Sequence, residues 1–207
     1  MKEKTTAIVL AAGQGKRMHS KIQKQFLEIQ GHPVLYYSLK CFQESPLIHD
    51  IIIVTGEDMI SYCKREIVER YQLTKVSAVI AGGKERYDSV YKGLLACEEC
   101  KYVFIHDGAR PYVNKESIDD LVECLKDYSA GLLMVPCKDT IKEVKDGIVV
   151  KTLKRETLMQ AQTPQVFKSE DIKIAYQKAK DEGFVATDDS QLFERYIDKE
   201  IKVVLGD

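Results

Sequence analysis

Five apolar runs, Thr6–Leu10, Asp50–Val54, Val76–Ile80, Tyr102–Ile105 and Leu132–Val135, alternate along this chain with segments whose apolar residues recur at helical spacing. The helical segments are Val34–Phe42, Glu57–Tyr71, Ser89–Cys97 and Lys115–Tyr128. The first begins after Gly31-His32-Pro33 and stops before Ser45-Pro46, as proline at a helix start and just past a helix end would arrange. Continuous apolar runs suit strands covered on both faces, which is what parallel strands with crossover helices provide. The pattern predicts an α/β fold with a doubly wound, mainly parallel, Rossmann-like sheet. Ligands of such sheets sit beyond the carboxyl ends of the strands. Three chemically loaded loops follow strands here: LAAGQGKR the first, AGGKERYDS the third and HDGARP the fourth.

The rhythm breaks after Pro136. In Lys138–Arg155, Asp146-Gly147 separates two short β-type runs, the usual signal of a hairpin. Its charged surface has little of its own to bury, so it is expected to protrude and to rest on something else, such as a second subunit. Gln162–Gln165 then returns the chain to the body, Glu170–Glu182 reads as a helix, Thr187-Asp188-Asp189-Ser190 as the capped start of another through Tyr196, and Ile201–Leu205 as a last strand. The expectation is one domain over residues 1–207, with 138–155 as an extended arm.

The 207 residues are 44% hydrophobic and 30% charged, with a net charge of −1, so nothing pulls the whole molecule toward nucleic acid or an anionic membrane. No apolar run approaches the roughly 20 residues that span a bilayer. Met1-Lys2-Glu3-Lys4 leads straight into a strand without a signal-peptide pattern, and a cytoplasmic protein is expected. Of six cysteines, only Cys97 and Cys100 have metal-like spacing. No second pair completes a zinc set, so reduced, scattered thiols and no protein-built metal site are expected.

The first loop places Ala11, Ala12, Gly13 and Gly15 before Lys16, Arg17, Lys21 and Lys24. Small residues let backbone N–H groups approach an anion, and the cations neutralise phosphate oxygens. It is not a P-loop, which has four residues between its glycines and a following Lys-Ser or Lys-Thr, and Met18 stands where a dinucleotide fingerprint has a third small residue. In the third loop, Gly82-Gly83 and Ser89 offer groups that read a base edge, or simply cap the next helix. In the fourth, Asp107 suits a metal or a sugar hydroxyl, and Arg110 a phosphate or a pair with Asp107. His106 fits a strand-end packing residue better than a general base. Thr140 and Arg155, on the arm, read from spacing alone as solvated surface.

Taken together, LAAGQGKRM, KQFLEIQGHPVL, GGKERYDSV, HDGARPYV, PCKDTIK, RETLMQAQTPQVF and TDDSQLFE resemble, in order and over nearly the whole chain, the 2-C-methyl-D-erythritol 4-phosphate cytidylyltransferases. The resemblance implies the nucleotide-diphospho-sugar transferase type of fold and cytidylyl transfer from CTP to a polyol phosphate, 2-C-methyl-D-erythritol 4-phosphate, releasing pyrophosphate, in non-mevalonate isoprenoid biosynthesis. It also implies Mg2+ bound mainly through CTP phosphates, and a homodimer in which the arm crosses to the neighbouring subunit. By similarity Arg17 and Lys24 are catalytic, and Ala11, Ala12, Gly13 and Gly15 hold the triphosphate. Gly82 and Ser89 flank cytosine, and Asp107 and Arg110 lie near sugar and substrate hydroxyls. Thr163 lines the substrate wall, and Thr140 and Arg155 serve the partner's site, Arg155 on the substrate phosphate. Three departures stand out. Gln23 replaces the usual Pro before the catalytic Lys, and Lys84 replaces an acidic residue beside the base-reading glycine. The sequence ends at Gly206-Asp207, where family members continue with a segment carrying a further phosphate-binding Lys. The rival readings are a ribitol-5-phosphate cytidylyltransferase, a non-catalytic nucleotide-binding domain and an NAD-dependent oxidoreductase. Substrate preference, pyrophosphate release and NAD binding respectively discriminate them.

Overall fold

A computed structural model of the chain describes residues 4–13, 22–97 and 99–206. Gly15, Lys16, Arg17 and Lys21 of the first loop lie outside the described residues. The strands are β1 (Thr5–Ala11), β2 (Glu28–Ile29), β3 (His32–Pro33), β4 (Asp50–Thr55), β5 (Val76–Ala81), β6 (Tyr102–Asp107), β7 (Ala130–Pro136), β8 (Lys142–Lys145), β9 (Ile148–Thr152), β10 (Met159–Lys168) and β11 (Ile201–Leu205). The helices are α1 (Val34–Glu44), α2 (Ile60–Tyr62), α3 (Arg86–Ala96), α4 (Lys115–Cys124), α5 (Ser169–Glu182) and α6 (Asp189–Tyr196).

Seven strands form one sheet in the order β11-β7-β10-β6-β1-β4-β5. The pairs β6–β1, β1–β4, β4–β5 and β7–β11 are parallel, and β10 runs antiparallel to β6 and β7. All residues of β1 and β4 are buried, as continuous apolar runs in the middle of a two-sided sheet should be. One face carries α1 and α4 through Leu35, Leu39, Phe42, Ile118 and Leu121. The other carries α3, α5 and α6 through Val90, Leu94, Ile172, Tyr176 and Phe193. The mainly parallel, doubly wound reading therefore holds.

Two elements differ from the sequence reading. Gln162–Gln165, read from the sequence only as the chain's return to the body, lies within a ten-residue interior strand, Met159–Lys168. Pro164 hid it, because proline cannot donate to a sheet ladder. The structure places Thr163-Pro164, joined by a cis bond, where the register shifts between Ala161 and Gln165. The single helix expected over 57–71 is a 3-10 turn, the short α2 and a π-helical stretch over Cys63–Glu69.

The cysteine expectation needs a correction, since the structure joins Cys97 and Cys100 as a disulfide. Cys97 is where α3 ends and the chain turns back, leaving the two Cα atoms 6.4 Å apart, within bridging distance. Cys41, Cys63, Cys124 and Cys137 are free thiols.

β8 and β9 form the hairpin around Asp146-Gly147, both with positive φ, as a tight two-residue hairpin turn requires. Every residue of both strands is exposed, including Val144, Ile148, Val149 and Val150. Among the described residues no helix is long and apolar enough to cross a membrane.

Candidate active site at the carboxyl edge

Register brings the strand ends level. Leu10 lies beside Asp107, Ala11 beside Thr55, and Thr55 beside Ala81. The loops leaving β1, β5 and β6 therefore start next to one another. The Gly108 N–H donates to the Leu10 carbonyl at 2.8 Å, and the Gly82 N–H to that of Thr55 at 2.7 Å. A Cβ on Gly82 would sit 2.6 Å from Ser89 Oγ and 2.8 Å from Ala12 Cβ, so only glycine lets the first and third loops meet this closely.

Lys24 opens a 3-10 turn, Lys24–Phe26, whose other two residues are buried. Phe26 meets Tyr62 edge to face. Gln25 Nε2 donates to the Ala11 carbonyl at 2.6 Å, and lies 3.1 Å from the Gly13 carbonyl and 2.8 Å from Gln23 Oε1. Lys24 is thus held against the end of β1 by its neighbour. Gln23 has φ −65° and ψ 141°, a backbone that proline also adopts, so the departure from proline leaves the local conformation in place.

In the third loop Ser89 Oγ accepts from the Gly83 N–H at 3.0 Å and donates to the Glu85 carbonyl at 3.2 Å. Glu85 caps α3 in a capping box with Asp88. The Ser89 hydroxyl therefore shapes the loop, and Asp88 makes the helix cap. Lys84 is exposed.

Asp107 ends β6 with its carboxylate about one-third exposed. Arg86 Nε donates to its Oδ1 at 3.0 Å and Arg110 Nε reaches Oδ2 at 3.4 Å. Burial alone would raise the Asp107 pKa, but the charge and hydrogen bond of Arg86, with help from the charge of Arg110, hold it below the usual carboxylate value. The Asp107 N–H donates to Thr163 Oγ1 at 3.1 Å. Thr163 Oγ1 in turn lies 3.1 Å from Nδ1 of His106, whose Nε2 is 3.1 Å from both Ser38 Oγ and the Arg110 carbonyl. His106 is fully buried, and desolvation pushes its pKa down to about 4, against the opposing pull of Asp107. A neutral ring with its proton on Nε2 completes this network, the tautomer being assigned from the partners. His106 is a structural residue, as its sequence position suggested.

Thr140 and Arg155 sit at the exposed base of the hairpin. Arg155 Nη1 donates to the Lys138 carbonyl at 3.0 Å. Within one chain they belong to the hairpin rather than to the cluster around Lys24, Gly82 and Asp107.

The sequence reading missed Gln25, Arg86 and Asp189. Gln25 gave no signal, since its role depends on where the turn docks. Arg86 did: it is a cation at the first position of a helix, where the dipole disfavours positive charge, so some acidic group must hold it. That group is Asp189, which had been read only as a helix-start residue.

The family model for 2-C-methyl-D-erythritol 4-phosphate cytidylyltransferase (IspD) matches residues 5–207. The 2-C-methyl-D-erythritol 4-phosphate cytidylyltransferase of Lachnospira eligens is 46% identical over 202 residues, covering 96% of this chain and 88% of its own. That of Geotalea uraniireducens is 44% identical over 207 residues, covering 99% and 88%. Among solved structures, the 4-diphosphocytidyl-2C-methyl-D-erythritol synthase of Anaerococcus prevotii superposes with a TM-score of 0.88 at 31% identity, covering 99% of this chain and 88% of that one. The Francisella tularensis cytidylyltransferase superposes at 0.81 and 32% identity, covering 98% and 90%.

Proposed function

The chain belongs to the 2-C-methyl-D-erythritol 4-phosphate cytidylyltransferase family, and on that premise we propose how its residues carry out cytidylyl transfer. A phosphate oxygen of 2-C-methyl-D-erythritol 4-phosphate attacks the α-phosphorus of CTP in line. The new P–O bond forms as the bond to the β-phosphate oxygen breaks, giving 4-diphosphocytidyl-2-C-methyl-D-erythritol and pyrophosphate. The nucleophile is already an anion, so no general base is needed. The barrier lies in bringing two anions together, which positioning and preorganised charge lower.

Backbone at Ala11, Ala12, Gly13 and Gly15 cradles the triphosphate, while Arg17 and Lys24 take up charge at the α-phosphoryl group. Gly82 and Ser89 form the wall beside cytosine. Asp107, with Arg110, receives sugar and substrate hydroxyls, and Thr163 supports the substrate side. Thr140 and Arg155 act in the partner's site across a homodimer built on the 138–155 arm, with Arg155 on the substrate phosphate. The whole 1–207 chain acts as one catalytic domain in the cytoplasm.

Mg2+ fits this site as a passenger of the nucleotide. Among the described residues no three His, Cys, Asp or Glu side chains converge into a cage, and Asp107 is already engaged by two arginines. Such ions are commonly held through substrate phosphates with few protein ligands. When bound, the cation neutralises charge on the triphosphate.

The observation that supports the reading best is the close approach of the first and third loops at Ala12 and Gly82, which puts residues from separate strand ends side by side. The deciding experiment is pyrophosphate release from CTP and Mg2+ with either 2-C-methyl-D-erythritol 4-phosphate or ribitol 5-phosphate. Turnover is expected with the first. Preference for the second, or release with neither, overturns the proposal.

A further inference from the structure

Arg86 connects four elements at the edge of the sheet. Its Nε binds Asp107 at the end of β6, and its Nη1 and Nη2 take both carboxylate oxygens of Asp189, on α6, at 3.1 and 2.8 Å. Tyr176, on α5, donates its hydroxyl to Asp189 Oδ1. Asp189 is fully buried. A buried carboxylate persists only if it is paired, and here the pairing is a two-toothed fork whose planar geometry fixes the guanidinium as well as its charge. The mount is itself anchored. Asp188 caps α6 and accepts from Gln165 Nε2 at 2.9 Å, while the Ser190 N–H donates to Gln165 Oε1 at 3.1 Å. Three of the five N–H groups of Arg86 are committed in this way, Nε to Asp107 and one from each Nη to Asp189, which fixes the plane and direction of the guanidinium.

We propose that Arg86 is a positioning residue: aimed from behind by Asp189, it holds Oδ1 of Asp107 and so turns Oδ2 outward to receive a nucleotide sugar hydroxyl. This rests on the reading that Asp107 meets that hydroxyl. The rotamer of Asp107 is then set by a buried mount, and not by the exposed Arg110, whose contact is the longer one. Lysine at position 86 would keep the charge but lose the fork and the fixed direction of Nε.

The test is a double-mutant cycle with Arg86→Lys and Asp107→Asn, measured as kcat and KM for CTP on enzyme with a counted active-site concentration. Arg86→Lys is expected to raise KM for CTP about tenfold with kcat nearly unchanged, a coupling usual for residues in one network. In the Asp107→Asn background the same substitution should cost almost nothing. Asp189→Asn is the second variant if Arg86→Lys fails to fold. It leaves Arg86 in place, loosens its aim, and should raise KM for CTP in the same direction. Equal losses of Arg86→Lys in both backgrounds, or a fall in kcat with KM for CTP unchanged, overturn the proposal. If Asp107→Asn leaves KM and kcat unaltered, the reading of Asp107 itself falls, and the positioning role with it.

Discussion

Gln25 Nε2 lies 2.6 Å from the carbonyl oxygen of Ala11, and this bond fixes where Lys24 stands relative to the end of β1. A lysine on a flexible stem is a poor electrostatic catalyst unless its backbone is placed, because preorganisation is what makes its charge effective.

Gln25→Ala should therefore injure catalysis although residue 25 is buried and proposed to touch no substrate. The expected loss in kcat/KM is on the order of tenfold to a hundredfold, the cost of a small displacement of a working group. The missing buried hydrogen bonds should also lower stability by about 1–3 kcal/mol. Unaltered kcat/KM in the folded variant would show that Lys24 needs no such anchor.

Lys24→Ala should separate chemistry from folding. Lys24 is half-buried, at the start of a turn whose packing comes from Gln25 and Phe26. A loss of roughly 10²–10³ in kcat is expected, as for other single preorganised donors, with a thermal midpoint close to the parent's. A kcat within a few-fold of the parent's would remove Lys24 from the catalytic set.

Stability should fall on the acid side because of His106. Its folded pKa is lowered to about 4 from 6.5, so between those values the unfolded chain binds a proton that the folded one does not. The contribution is complete above about pH 6.5 and is lost as pH falls toward 4, on the order of 3 kcal/mol in total. Denaturant titrations from pH 7 to pH 4 should show this slope, and His106→Gln should flatten it. An unchanged slope in His106→Gln would assign the pH dependence elsewhere.

Subunit sharing can be tested by exchange. A Lys24→Ala subunit and an Arg155→Ala subunit are each expected to be inactive as homodimers. After random exchange, mixed dimers hold one site with both residues intact, so roughly a quarter of parental activity should return. No recovery in mixtures shown to have exchanged would place Arg155 in its own subunit's site or outside the site altogether.

Much of this was legible in the sequence. The continuous apolar runs of β1, β4 and β6 announced a two-sided parallel sheet, and Asp146-Gly147 announced a tight hairpin. The small residues after β1 and the Gly82-Gly83 pair marked the edge where the loops leaving β1 and β5 meet. What escaped notice depends on contacts between residues far apart in the chain. β10 was hidden by Pro164, because strand patterns are read locally and a bulge that tolerates proline is visible only once β6 and β7 stand on either side. Asp189 looked like an acidic residue at a helix start, and only the approach of α3 makes it a buried mount for Arg86. Gln25 carries no charge or motif to draw attention, and its importance lies in docking against Ala11.

β10 has one more consequence. The chain leaves the sheet from β7 into the hairpin and re-enters through β10, whose Thr163 accepts the N–H of Asp107. The far end of the hairpin and the floor beneath Asp107 are thus consecutive parts of one strip of backbone. The strand that brings the chain back from the hairpin is therefore the same one that ties down the backbone of Asp107, so the arm and the end of β6 share a single element.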